Sequence, residues 1–251
     1  MPKKSNGKNG TALMKFEDKY PVLAGSAQKA VELIQESLGG AEITPFDLDA
    51  VKMPTGGAVH WSIINEAGEE DTAKELTGIV VFQRRQRGFW INQVTPDGSP
   101  PDCFSDDAII GMGDRTGSGE ITKQDCKTCP FSQWGSKEGA SRGQACNLKT
   151  VLFLLRSDEF LPTVIPLPPT SIKVWQKFVL RQAGRGNALT SYEVSLSLKK
   201  ETGPFGPYSV IDIRKTRSLS DNEQKLLLSY AESLRSLFLT VRVDMSEGDG
   251  E

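Results

Sequence analysis

Cys126-Lys127-Thr128-Cys129 narrows what this chain can fold into more than any other feature. Two thiols at that spacing turn round a tight knuckle and converge on one metal ion. Zinc takes four soft ligands at tetrahedral angles, so a second pair must come from elsewhere. Cys103 and Cys146 are the only other cysteines, and they flank the knuckle. The single histidine, His60, lies far upstream in a glycine-rich loop. One structural Zn2+ on Cys103, Cys126, Cys129 and Cys146 is therefore the expected arrangement. It differs from a two-knuckle ribbon because the outer cysteines stand singly. Free buried thiols and a thioredoxin-like redox pair are the other readings, although no βαβ pattern surrounds the CxxC. Four thiolates leave no open position for water or substrate, so such a metal supports folding. Residues 97–147 need that support, being glycine-rich with few apolar runs.

The remaining sequence bounds the function classes. No apolar run approaches the roughly 20 residues that span a bilayer, so no membrane association is expected. Lys3, Lys4 and Lys8 are followed by no apolar stretch, which argues against a signal peptide. A cytoplasmic, reducing location follows, and there clustered cysteines favour metal over disulfides. The chain carries a formal charge of -2, unevenly spread. Nine bases from Lys173 to Arg217 face three acids, while the last eight residues hold Asp244, Glu247, Asp249 and Glu251 and no base. There is no Walker loop, nucleophile elbow or HExxH motif. Asp102, Asp106 and Asp107 are the only carboxylate cluster that could serve a metal-dependent nuclease. The expectation is a non-enzymatic protein.

Periodicity and turn residues divide the chain into a polar basic N-terminus (1–20), two parts of one domain (21–96 and 148–243), the cysteine insert (97–147) and an acidic tail (244–251). Apolar spacing predicts a helix over 26–38. Strands are expected at 61–64, 78–83 and 89–94, the last two joined through a basic turn at 84–88. Further strands are expected at 151–155, 163–167, 192–198 and 208–213. A helix over 170–182, capped by Thr170 or Ser171, carries Lys173, Lys177 and Arg181 four apart as one basic stripe. Ser220 to Glu223 reads as a capping box opening a final helix.

Several segments resemble an uncharacterised family of zinc-binding proteins from tailed phages and integrated mobile elements. They are Ile43 to Asp49, Pro100 to Asp107, Cys126 to Ser136, Gly143 to Cys146 and Leu167 to Ser171. The likeness spans about residues 38–239. The family's neighbourhood of replication and recombination genes implies DNA metabolism in a bacterial host cell. The order of elements resembles an OB-fold, so the expected class is α+β: an OB-like antiparallel β-barrel with a zinc-binding loop insertion and flanking helices. Such barrels bind single strands through cations along a groove and aromatics that stack bases. Candidates are Arg84, Arg85, Arg87 and Trp90, the helix stripe Lys173, Lys177 and Arg181, and the strand-end residues Lys199, Lys200, Tyr208, Arg214 and Lys215. Single-stranded DNA is then the partner, with replication or recombination proteins recruited by the acidic tail. The other reading is a zinc-stabilised adaptor of replication or transcription that does not touch DNA.

Overall fold

The computed structural model describes residues 19–20, 27–41, 44, 47–65, 67–92, 99–137, 143–204, 206–243 and 245. The basic N-terminus before residue 19 and the acidic tail, apart from Met245, lie outside the described residues, as do residues 93–98. The chain forms helix α1 (Ala27–Ser37), a hairpin of β1 (Trp61–Ile64) and β2 (Glu70–Ala73), and the long strand β3 (Glu75–Phe89). Short strands β4 (Cys103–Ser105), β5 (Ile110–Gly113) and β6 (Thr122–Asp125) follow. After them come β7 (Asn147–Arg156), β8 (Thr163–Leu167), α2 (Pro169–Ala183), β9 (Tyr192–Gly203), β10 (Gly206–Ser218), α3 (Asp221–Ser233) and α4 (Arg235–Thr240).

The architecture is α+β and dominated by antiparallel strands. Its organiser is β3. One edge of β3 pairs with β7 from Gly78↔Arg156 to Gly88↔Asn147, and β7 carries β8. The opposite edge is shared. Its start pairs with β9 at Leu76↔Leu196, and its end pairs with β4 at Phe89↔Cys103. The sheet thus forks, with β9–β10 on one prong and β4–β5–β6 on the other. It does not close, which corrects the expected barrel. A strand whose two ends serve different partners splays the sheet apart, so β10 and β6 end its two prongs, and β8 ends the β7 side, where residues 49–51 bridge it at Val164.

The basic stretch 84–88 is no turn. It continues β3, and Arg84 to Gly88 pair residue by residue with Val151 to Asn147. Alternation explains this. Arg84 and Gln86 point to one buried face, and Arg85, Arg87 and Phe89 lie on the other.

Both faces of the sheet are covered, which is why β7 reads as a near-continuous apolar run. Val151, Phe153 and Leu155 pack with Leu227, Tyr230, Leu237 and Phe238 of α3 and α4. Leu148, Leu152 and Leu154 pack with Ile172, Trp175 and Phe178 of α2. Helix α2 starts at Pro168, with Pro169 in its first turn and no side-chain cap. Proline's missing N–H costs nothing there, so Thr170 and Ser171 are not needed as caps. Instead the Ser171 hydroxyl accepts from the Ile211 N–H at 3.2 Å, tying α2 to β10. The capping box is present: Ser220 Oγ accepts from Glu223 N, and Glu223 Oε2 accepts from Ser220 N at 2.6 Å.

A buried carboxylate anchors residues 19 and 20. Glu193 on β9 accepts from Lys19 Nζ at 2.6 Å, Tyr20 Oη at 2.7 Å and Thr216 Oγ1 at 2.8 Å. Burial alone would raise its pKa, but these donors outweigh burial and hold the carboxyl below its usual range. A depressed folded-state pKa adds stability above the unfolded value of about 4.3, lost as pH falls through the folded value. Glu193→Gln should therefore melt below the parent at pH 7, and the gap should narrow on acidification through the carboxylate range. A gap constant from pH 7 to pH 3 overturns the assignment.

Candidate metal centre and basic surface

The cysteines come from four places along the insert. Cys103 opens β4, Cys126 follows β6, Cys129 precedes a short 3₁₀ turn at Pro130–Ser132, and Cys146 immediately precedes β7. Backbone bonds bring them together. Cys126 N donates to Ile109 O at 2.8 Å, Cys129 N to Asp125 O at 3.0 Å, and Cys146 N to Phe131 O at 2.8 Å. Side chains lock the knuckle further. Asp125 Oδ1 accepts from Lys127 N at 2.7 Å, and Ser132 Oγ donates to the Cys126 and Cys129 carbonyls.

All four cysteines are buried and free. They line one cavity of about 10 Å3 together with Phe89, Phe104, Gly111 and Phe131. That is room for a single small sphere, in a wall with no histidine. Gly111 sits closest to the thiols. A Cβ placed there would lie 3.2 Å from Cys103 Sγ and 3.5 Å from Cys126 Sγ. As the side chains stand, no group of three or more His, Cys, Asp or Glu among the described residues is arranged to hold a metal ion. Each thiol can reorient by rotation about one bond, while the backbone sets which thiols share the cavity.

Burial pushes the Cys146 thiol up to about 12, opposed by the Arg87 guanidinium. Burial raises Cys103 as well, opposed by Arg115, whose Nη1 lies 3.9 Å from Cys103 Sγ. A cation entering the cavity has to displace protons from these thiols.

The carboxylates beside the cysteines are engaged elsewhere. Asp107 Oδ1 accepts from the Ile109 and Ile110 N–H groups at 2.7 and 3.1 Å and from Ser105 Oγ at 3.0 Å, closing its own turn. Asp102 accepts from Ile91 N at 2.8 Å, and Asp106 pairs with Arg242 at 3.1 Å. They do not converge on one point as a nuclease cluster would.

The predicted DNA contacts separate into three groups. Arg84 and Trp90 are interior. Arg84 is 8% exposed and donates to the Leu239 and Val241 carbonyls at the end of α4. Trp90 is 6% exposed, with its indole N–H on Ser99 O at 3.1 Å, so its ring offers no face to a base. Neither stands open to DNA: the Arg84 guanidinium is taken up by carbonyls far along the chain and the Trp90 indole by one nine residues on, so both side chains bury. A second group is neutralised or packed within the sheet. Lys199 pairs with Asp212 and Arg214 with Glu75, each at 2.8 Å. Lys215 lies over the Tyr192 ring, and the Tyr208 hydroxyl donates to Glu201 at 3.1 Å. Lys200 covers Gly57 with its aliphatic stem.

The third group is open. Lys173, Lys177 and Arg181 lie exposed along α2. Arg85 and Arg87 project from the sheet face that α2 covers, at alternate positions after Gln83, whose amide oxygen accepts from Trp175 Nε1 at 2.6 Å. Arg87 donates to Cys146 O at 3.2 Å. Among the described residues none of these five makes an ion pair. Burial, and then the neighbouring Arg87, lowers the Arg85 guanidinium from its ordinary value.

Sequence reading assigned no role to Trp134, which stands 73% exposed just beyond the knuckle. An aromatic flanked by Gln133 and Gly135, directly after a CxxC, was the available signal. No family model matches the chain, and neither a curated protein nor a solved structure matches it. No described helix is long and apolar enough to cross a membrane.

Proposed function

We propose that this chain binds single-stranded DNA without catalysing a reaction, and that one zinc ion on Cys103, Cys126, Cys129 and Cys146 holds its insert in shape. The observation that carries the reading is a set of cations on one side of the sheet with no counter-ion. Lys173, Lys177 and Arg181 expose their charges from α2, and Arg85 and Arg87 share the sheet face beneath that helix. Exposed cations held on a rigid helix and strand track a phosphate backbone, and released counter-ions provide the affinity. An open, forked sheet replaces the expected closed barrel as the scaffold, so the contact runs along α2 and the β3 end instead of round a barrel. A role in replication or recombination is what the resemblance to phage and mobile-element proteins implies. The acidic tail would then recruit partner proteins and compete with DNA for the same cations. Met245, the one described residue of that tail, accepts at its carbonyl from the Asn147 side-chain amide at 3.1 Å.

Replacing Lys173, Lys177 and Arg181 together by Ala should weaken binding to every oligonucleotide sequence. The slope of log affinity against log salt should flatten by about 2 if all three meet phosphates, at about 0.7 each for single strands. Fluorescence anisotropy of a labelled oligonucleotide at several salt concentrations measures both. A variant with the parent's affinity and slope at low salt removes α2 from the interface.

One observation favours the adaptor reading. Ile109, Ile110, Met112 and Ile121 stand exposed on the β5–β6 hairpin, an apolar surface suited to a protein partner. That reading requires a parent protein that fails to bind oligonucleotide even at low salt.

A further inference from the structure

The chain has four tryptophans, and three of them are spent inside the fold. Trp61 donates to Leu196 O at 3.0 Å, Trp175 to Gln83 and Trp90 to Ser99. Trp134 alone is exposed, more so than any other large apolar side chain described. Among the described residues its indole N–H has no partner.

Its support is rigid. Gln133 Nε2 donates to Lys127 O at 2.9 Å and Cys129 O at 3.1 Å, clamping the residue before Trp134 onto the knuckle. Gly135, at a φ of +88°, donates to Gly143 O at 2.9 Å. Ser136 Oγ donates to Phe131 O at 2.8 Å and accepts from Ala145 N at 3.0 Å. The chain is thus fixed on both sides of a large apolar ring that gains nothing from burial. Fixing backbone costs conformational entropy, and here it holds the ring outward.

The segment that carries the ring adjoins the end of the cation row. Arg85, Arg87 and Phe89 occupy alternate positions on one face of β3. Phe89 stacks on Phe131 with centroids 4.2 Å apart, and Trp134 follows Phe131 in the same short segment. From 121 to 137 the bases Lys123, Lys127 and Lys137 face one acid, Asp125.

We infer that the Trp134 indole is the platform on which an unpaired base stacks, next to phosphates held by Arg85 and Arg87. This rests on the reading that the basic face binds single strands. An aromatic face stacks any base, so this contact adds affinity without sequence preference.

The test is Trp134→Ala and Trp134→Phe in the full, metal-loaded chain, titrated with a fluorescein-labelled oligothymidylate at two salt concentrations. Trp134→Ala should lose roughly five- to a hundredfold in affinity, the range for one lost base stack. Trp134→Phe should recover part of it, and the salt slope should stay that of the parent. The parent's tryptophan fluorescence should be quenched by unlabelled oligothymidylate, and Trp134→Ala should lose most of that quenching. An exposed ring supports no core, so melting should not change. If the parent binds and Trp134→Ala binds equally, the stacking role fails while the basic face stands, and the indole is left to a protein contact. If the parent does not bind at low salt, the single-strand reading fails and the platform with it.

Discussion

Protein purified without chelators should carry about one zinc per chain, and Cys126→Ser should carry almost none. Structural zinc in small modules contributes an apparent 10–16 kcal/mol at neutral pH. No other interaction in this chain approaches that scale. The segment depends on it because its own apolar cluster is small: Phe89, Cys103, Ala145 and Cys146, with Phe131 packed alongside. Two of those four buried side chains are themselves thiols. In Cys126→Ser the Phe89–Phe131 stack should open, and the exchange protection of the Cys126 and Cys146 amides should fall. The β7–β3–β9 part of the sheet keeps its own two-sided core, so a lower first transition should separate from the main one on melting. Acidification should release the metal, because protons compete for the thiolates. Elemental analysis finding no metal in fresh protein, or a Cys126→Ser variant that melts like the parent, overturns the site.

Arg84→Ala should destabilise the chain by about 2 kcal/mol, the scale of buried acceptors left without a donor. Asp106 is half exposed and keeps its pair with Arg242, so the loss falls mainly on the carbonyls. The guanidinium closes the end of α4 by donating to the Leu239 and Val241 carbonyls, and Asp106 lies 3.6 Å away. Burial makes its charge harder to hold, and Asp106 opposes that. Next to it Gln86 donates to Val241 O at 2.7 Å and accepts from Val243 N at 3.2 Å. Without Arg84 these carbonyls stay buried with fewer donors. Residues 239–245 should then loosen, and Met245, now buried against Gly88, should become open to oxidation. Thermal melting and the rate of Met245 sulfoxide formation measure the two effects. A variant within a degree of the parent, with Met245 still protected, rules out this clamp.

Much of the local structure was legible in the sequence. The strands at 61–64, 151–155, 163–167, 192–198 and 208–213, the stripe helix and the Ser220–Glu223 box depend on patterns within a dozen residues. The four cysteines also line one cavity; there the clue was a count and not a short pattern, since Cys103 and Cys146 are the only cysteines besides the CxxC. The misreadings share a cause. A run of Arg84-Arg85-Gln86-Arg87 reads as a solvated turn until it is known that the carbonyls ending α4 meet Arg84 and Gln86 from more than a hundred residues away. Trp90 reads as a platform until its burial beside Ser99 is seen. Lys199 and Arg214 read as free cations until the register of β9 and β10 sets Asp212 and Glu75 beside them. Barrel closure depends on how the far ends of β3 are shared, and no local pattern records that.

The division of β3 between two sets of partners also orders events during synthesis. Its pairings with β7 and β9 join residues far apart in the chain, Gly78 with Arg156 and Leu76 with Leu196, and such long closures are slow. The cysteine cluster closes over a shorter span, between Cys103 and Cys146. It is complete before a ribosome has made β9. A nascent chain can therefore gather its four cysteines while the prong that β9 and β10 will fill is still missing. The knuckle segment can then hold β4 against the end of β3, so one end of the central strand is already set in register when the last hairpin arrives.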